Sequence, residues 1–146
     1  ATRPTLMSLA PKSTTTPAIR AGNMVYGSGQ LGMSRDKPDS TIQGQTRLAL
    51  ENIKRVFEQA GTTMANAVKC TVFLTDVKEF GGMNEVYRTF FPAAPPARST
   101  VVVAALVVPN AKVEIECVAA MGSRARVAFR TRLARTLSTP SRRARA

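Results

Sequence analysis

One charged residue stands where charge is least expected, and a second lies on the following strand. Arg98 lies between the proline-rich stretch Pro92–Pro96 and a strand-like run of small and apolar residues, and Glu114 lies inside the alternating run Lys112–Ala120. A guanidinium among sheet-forming neighbours needs a carboxylate, supplied by the protein or by a ligand. If the chain from Arg98 to Ala120 folds as a hairpin centred near Val108, Glu114 falls opposite Val102. Arg98 then shares the face of Glu114, about 13 Å away by strand rise. Such a pair would flank one small ligand rather than bond to each other. Gly27-Ser28-Gly29 is a third candidate, because a glycine there permits close backbone approach to a ligand. It lacks the spacing of a phosphate-cradling fingerprint. A flexible strand end and ordinary surface charges are the alternatives for these residues.

Composition narrows the chemistry further. The 146 residues contain no histidine and two cysteines. Ser-His-Asp triads, Cys-His dyads and the common zinc sites are therefore excluded. Cys70 and Cys117 each sit in an apolar alternating run, which predicts two buried free thiols in a reducing compartment, with a disulfide between them as the alternative. No apolar run is long enough to span a membrane. No apolar segment of the secretory type follows the start. A cytoplasmic location is the expectation, with a mitochondrial one as the alternative, since residues 1–16 lack acids.

The net charge of +12 is unevenly placed. Residues 122–146 hold eight arginines and no acid, whereas residues 1–121 hold 13 basic and 9 acidic residues. Three parts follow: a poorly ordered segment over 1–16, a folded domain over 17–121, and an arginine-rich tail over 122–146. The tail reads as a neutral, disordered extension. The alternative is an arm that docks on phosphates, RNA or an anionic surface, though it has only Phe129 for base stacking.

Within 17–121 the pattern is β-β-α-β-α-β-β. Ala18–Arg20 and Met24–Tyr26 flank a turn at Ala21-Gly22-Asn23. Ser40 or Thr41 caps a helix that ends at Ala60, with Gly61 as its stop and Glu51–Arg55 as an i,i+4 pair. Val68–Thr75 alternates as a half-buried strand. Asp76 and Glu79 resemble a capping box for a second helix with Phe80, Met83, Val86, Tyr87 and Phe90 on one stripe. Arg98–Ala105 is rich in β-formers, and Val113, Ile115, Cys117 and Ala119 face one way in the last strand. This is an α+β domain with two helices on one face of a sheet. The other face needs a cover, which argues for an oligomer packed sheet to sheet.

Several segments, taken in order, resemble the RidA/YjgF/L-PSP family of reactive-imine deaminases. They are Gly22-Asn23-Met24 with Ser28-Gly29-Gln30, Ala49-Leu50-Glu51-Asn52-Ile53-Lys54, and Val68–Leu74 with Asp76. Met83-Asn84 with Tyr87 and Phe90-Phe91, Pro96–Thr100, and Lys112–Glu116 complete the series. The resemblance implies a chorismate-mutase-like fold and a homotrimer whose sheets close a barrel, with sites between subunits. It implies hydrolysis of 2-imino or 2-enamino acids to 2-keto acids and ammonia, with no cofactor or metal. It assigns Arg98 to the substrate carboxylate and Glu114 to the attacking water. Backbone groups at Gly29 and Thr100 complete the pocket, and Ser28, Asn84 and Phe91 line it. The chain departs from the family pattern at Ser13–Thr16, where many members carry Gly-Pro-Tyr. It also has one extra residue around Val107–Asn110, and Thr100 where bacterial members often have cysteine. An RNA-binding or endoribonuclease role through the tail, a specialised biosynthetic relative, and a small-acid binder without turnover are the competing expectations.

Overall fold

A computed structural model describes residues 5–7, 14–33 and 39–122. Its elements run β1 (Thr5–Met7), β2 (Ala18–Ala21), β3 (Met24–Gly27), β4 (Gln30–Leu31), α1 (Ile42–Gln59), β5 (Ala67–Leu74), α2 (Phe80–Phe90), β6 (Ala97–Val102) and β7 (Val113–Ala120). The strands form one mixed sheet in the order β1-β2-β3-β7-β5-β6, and β4 also pairs with β7. Both helices pack on one face, as the hydrophobic pattern predicts. No helix among the described residues is long and apolar enough to cross a membrane.

The local causes are visible in the caps. Thr41 is the N-cap of α1, and its Oγ1 accepts from the Gly44 amide at 3.0 Å. Asp39 braces that cap by accepting from both the amide (2.7 Å) and the hydroxyl (2.6 Å) of Thr41. Those bonds favour the ionised carboxylate and hold its pKa below the usual value. Gly61 ends the helix at φ +85°, a conformation that side chains resist. Asp76 caps only a short 3₁₀ turn, accepting from the Lys78 amide at 2.8 Å. The expected capping box does not close, because the Glu79 carboxylate pairs with Lys112.

The core lies between helices and sheet. From α1 it takes Ile42, Ala49, Leu50, Ile53 and Phe57, and from α2 Met83 and Tyr87. From the strands it takes Val25, Val72, Leu74, Val113 and Ile115. Each large apolar side chain fully buried there stabilises the fold by about 1.5–3 kcal/mol. Gln45 is buried yet fully partnered. Its amide donates to the carbonyls of Asp39 (3.0 Å) and Asn110 (3.1 Å) and accepts from the Lys112 amide (2.8 Å). That brace fixes the loop leading into β7.

The sheet's opposite face carries Ile19, Tyr26 and Val101, all exposed. No described element packs over them.

Four expectations need correction. Cys70 and Cys117 face each other on neighbouring strands and form a disulfide, not two free thiols. Alternation in each run showed that both are buried; only the β5–β7 register brings them together. Thr5–Met7 is a strand paired with Ala18–Arg20, inside the segment expected to be poorly ordered. Glu51 and Arg55 do not pair; the i,i+4 ion pair on α1 is Lys54–Glu58, at 3.9 Å. Finally, β6 and β7 are not a hairpin. β5 lies between them, parallel to β6 and antiparallel to β7. The connection β5-α2-β6 is a crossover, as parallel strands require. The arginine-rich stretch beyond residue 122 lies outside the described residues.

Candidate functional site

The inserted strand changes the site. Arg98 is level with Cys70, whose side chain points into the helix-facing core. Glu114 is level with Phe73, three residues further along β5 and therefore on the other face. Two strand spacings across and three residues along separate their Cα atoms by about 14 Å. The distance is near the expected value, but the shared face is not: within one chain Arg98 and Glu114 point to opposite sides of the sheet.

Each residue has its own surroundings. Arg98 sits on the edge strand β6 and reaches toward α2. Its Nη1 donates to Asn84 Oδ1 at 2.7 Å. Its guanidinium carbon lies 4.6 Å from the centroid of the Tyr87 ring and 5.8 Å from that of Phe80. Tyr87 in turn packs on Phe91, with ring centroids 4.8 Å apart. Burial pushes the Tyr87 phenol up to about 12, opposed by the Arg98 charge. A cleft of about 350 Å³ opens beside these groups, lined by Asn84, Tyr87, Arg88, Phe91, Pro96 and Arg98. Among the described residues Arg98 has no acidic partner; the ion pairs there are Lys54–Glu58 and Lys112–Glu79. Thr100 lies two residues along the same face, with its Oγ1 buried and without a partner among the described residues.

Glu114 lies beside the β3–β4 connection. Gly29 is pressed so close that a Cβ there would overlap Glu114 Oε1. Only glycine fits this approach without displacing the carboxylate. Ser28 holds the connection in place: its hydroxyl donates to the Thr16 carbonyl at 2.5 Å and its amide to the Pro17 carbonyl at 2.9 Å. Ser28 and Gly29 also border a second cleft of about 260 Å³, shared with Thr15, Asn52 and Arg55.

The seven residues expected at the site thus fall into two groups. Asn84, Phe91, Arg98 and Thr100 are on the helix side of the sheet near α2, and Ser28, Gly29 and Glu114 are together at mid-sheet, on β7 and the β3–β4 connection beside it. One group can hold an anion, the other can accept a proton. Sequence reasoning missed Tyr87 and Phe80 as partners of Arg98 because their spacing is that of a helical core stripe. The signal available was Asn84-x-x-Tyr87, which puts an amide and an aromatic face on the same side of one helix.

These features match known proteins. The model of the family described as endoribonuclease L-PSP covers residues 6–121. The chain belongs to the endoribonuclease L-PSP family. Among its L-PSP relatives, Reactive Intermediate Deaminase A, chloroplastic, of Arabidopsis thaliana is 40% identical over 107 residues, 71% of this chain and 57% of that protein. The 2-iminobutanoate/2-iminopropanoate deaminase of Dermatophagoides farinae is 39% identical over 104 residues, 69% of this chain and 80% of that protein. The crystal structure of yeast Mmf1 superposes with a TM-score of 0.74 at 35% identity, covering 82% of this chain and all of that one. The L-PSP match begins eleven residues before the expected domain start at residue 17, and so takes in the end of strand β1.

Proposed function

We propose that this chain hydrolyses reactive 2-imino or 2-enamino acids to 2-keto acids and ammonia. The observation that carries it is the Arg98 guanidinium. It is held by an amide and an aromatic ring, opens onto a cleft, and among the described residues has no acid to neutralise it. A cation kept in place and left uncompensated suits a ligand carboxylate. The names of the Arabidopsis and Dermatophagoides relatives support the reaction class.

In this reading the Arg98 cleft of one copy is completed by Glu114 and Gly29 of another. A homotrimer closed through the uncovered sheet face would bring the halves together, and Ile19, Tyr26 and Val101 would be buried by the same contact. Arg98 then anchors the carboxylate of the substrate and fixes the C=N carbon. Glu114 accepts a proton from water as the oxygen adds to that carbon. Glu114 passes that proton to the imine nitrogen, which gives the neutral carbinolamine. It then takes the carbinolamine hydroxyl proton and delivers it to the nitrogen as the C–N bond breaks, so ammonia leaves, the C–O becomes the ketone, and one water is consumed per ammonia released. Imines hydrolyse unaided in water, so positioning and one base suffice.

The test is ammonia and keto-acid release from 2-iminopropanoate and bulkier imino acids generated in situ. Wild type, Arg98→Ala and Glu114→Ala are compared, with sedimentation to report assembly. Acceleration lost in both variants supports the proposal. No acceleration over buffer from an assembled sample refutes it.

A further inference from the structure

Arg98 is the group on which the proposed deamination rests, yet a lone guanidinium on an edge strand has four carbon torsions to lose. Something must hold it. The usual holder is a carboxylate, and among the described residues none pairs with Arg98. The contacts are instead a neutral amide oxygen, from Asn84, and the π face of Tyr87. A carboxylate would fix the side chain but also spend its charge. An amide and a ring fix it and leave the charge for a ligand.

Tyr87 is the stronger of the two aromatic contacts. Its ring is 4.6 Å from the guanidinium carbon and is itself locked by burial at 3% exposure and by Phe91. Phe80 is 5.8 Å away and 40% exposed. The Tyr87 hydroxyl is buried and has no hydrogen-bond partner among the described residues. Its position is therefore not explained by a polar contact; the ring face is what the site uses. This rests on the deaminase reading only in taking Arg98 as the carboxylate anchor.

We propose that Tyr87 is a positioning residue for Arg98, that its ring and not its hydroxyl does this, and that it sets affinity for the 2-keto or 2-imino acid carboxylate. Removing the ring lets the guanidinium swing toward solvent. A part-desolvated cation–π contact then predicts roughly five- to thirtyfold weaker carboxylate binding.

The experiment is calorimetric titration of the assembled protein with 2-oxobutanoate, the stable product-class acid, alongside steady-state deamination. Wild type, Tyr87→Phe, Tyr87→Leu, Tyr87→Met and Arg98→Ala are compared. The expected result is loss of binding in Arg98→Ala and weakened binding in Tyr87→Leu and Tyr87→Met. Their KM rises by the same factor with kcat within about twofold, and Tyr87→Phe retains wild-type affinity as the conservative replacement. Unchanged affinity in Tyr87→Leu, with binding lost in Arg98→Ala, overturns the role of Tyr87 and leaves the anchor standing. Equal loss in Tyr87→Phe and Tyr87→Leu overturns the assignment to the ring. Wild-type binding by Arg98→Ala overturns the deaminase reading itself. Should the leucine and methionine variants fail to fold, the wild-type protein still decides the point. A guanidinium over a ring gives an Arg98 Nε–Hε resonance shifted upfield by the ring current, identified by its absence in Arg98→Ala. An unshifted resonance overturns the proposal.

Discussion

Replacing Asn84 with aspartate isolates the central idea, that Arg98 is held without being neutralised. The two side chains are nearly isosteric, and Asn84 Oδ1 is already 2.7 Å from Arg98 Nη1. Asn84→Asp therefore keeps the geometry and adds one negative charge. A ligand carboxylate on the other side of the guanidinium would lie roughly 6 Å from the new one. At an effective dielectric constant near 20 that repulsion is about 2.8 kcal/mol, or about a hundredfold in affinity. Asn84→Ala removes one charge-assisted hydrogen bond and adds no charge, so it should weaken binding by only about tenfold. The assay is calorimetric titration with 2-oxobutanoate, paired with initial rates of ammonia release. Thermal unfolding should show Asn84→Asp at least as stable as wild type, since the new pair is partly buried and well formed. Binding by Asn84→Asp as tight as wild type would refute the reasoning, and so would weaker binding by Asn84→Ala than by Asn84→Asp. In either case the open charge of Arg98 would not be what the ligand meets.

Three further outcomes are expected. Gly29→Ala should lower kcat by at least tenfold without loss of fold, because its Cβ would displace the Glu114 carboxylate; unchanged kcat would separate Gly29 from the catalytic group. Reducing the Cys70–Cys117 bridge, which closes a separation of 47 residues, should lower stability by up to about 4 kcal/mol in the chain-entropy model. Urea midpoints with and without reductant check this, and coincident curves would deny the bridge a stabilising role. Thr41→Ala should cost about 1 kcal/mol through loss of the α1 cap. It should also flatten an acid-side pH dependence. The Asp39 carboxyl has its folded pKa lowered by Thr41, so its contribution is present above the unfolded pKa and fades as pH falls through the folded one. Equal acid sensitivity in the variant would assign that dependence to other carboxylates.

Local pattern determined much of the molecule. Period-two alternation marks Val113, Ile115, Cys117 and Ala119 as the inward face of β7, and all four are buried. The cap at Thr41 and the stop at Gly61 bound α1 because hydrogen-bonding side chains and left-handed glycine act within a few residues. The types of Arg98, Glu114 and Gly29 flagged the chemistry, and the motifs around them flagged the family. Strand order is another matter. Whether β6 returns beside β7 or crosses to the far side of β5 depends on long-range pairing, which no local window encodes. That one insertion put Arg98 and Glu114 on opposite faces, drew Cys70 against Cys117, and set Arg98 over Tyr87. Side-chain type was legible from the chain itself. Which face a residue shares, and with whom, was decided only when distant strands chose their neighbours.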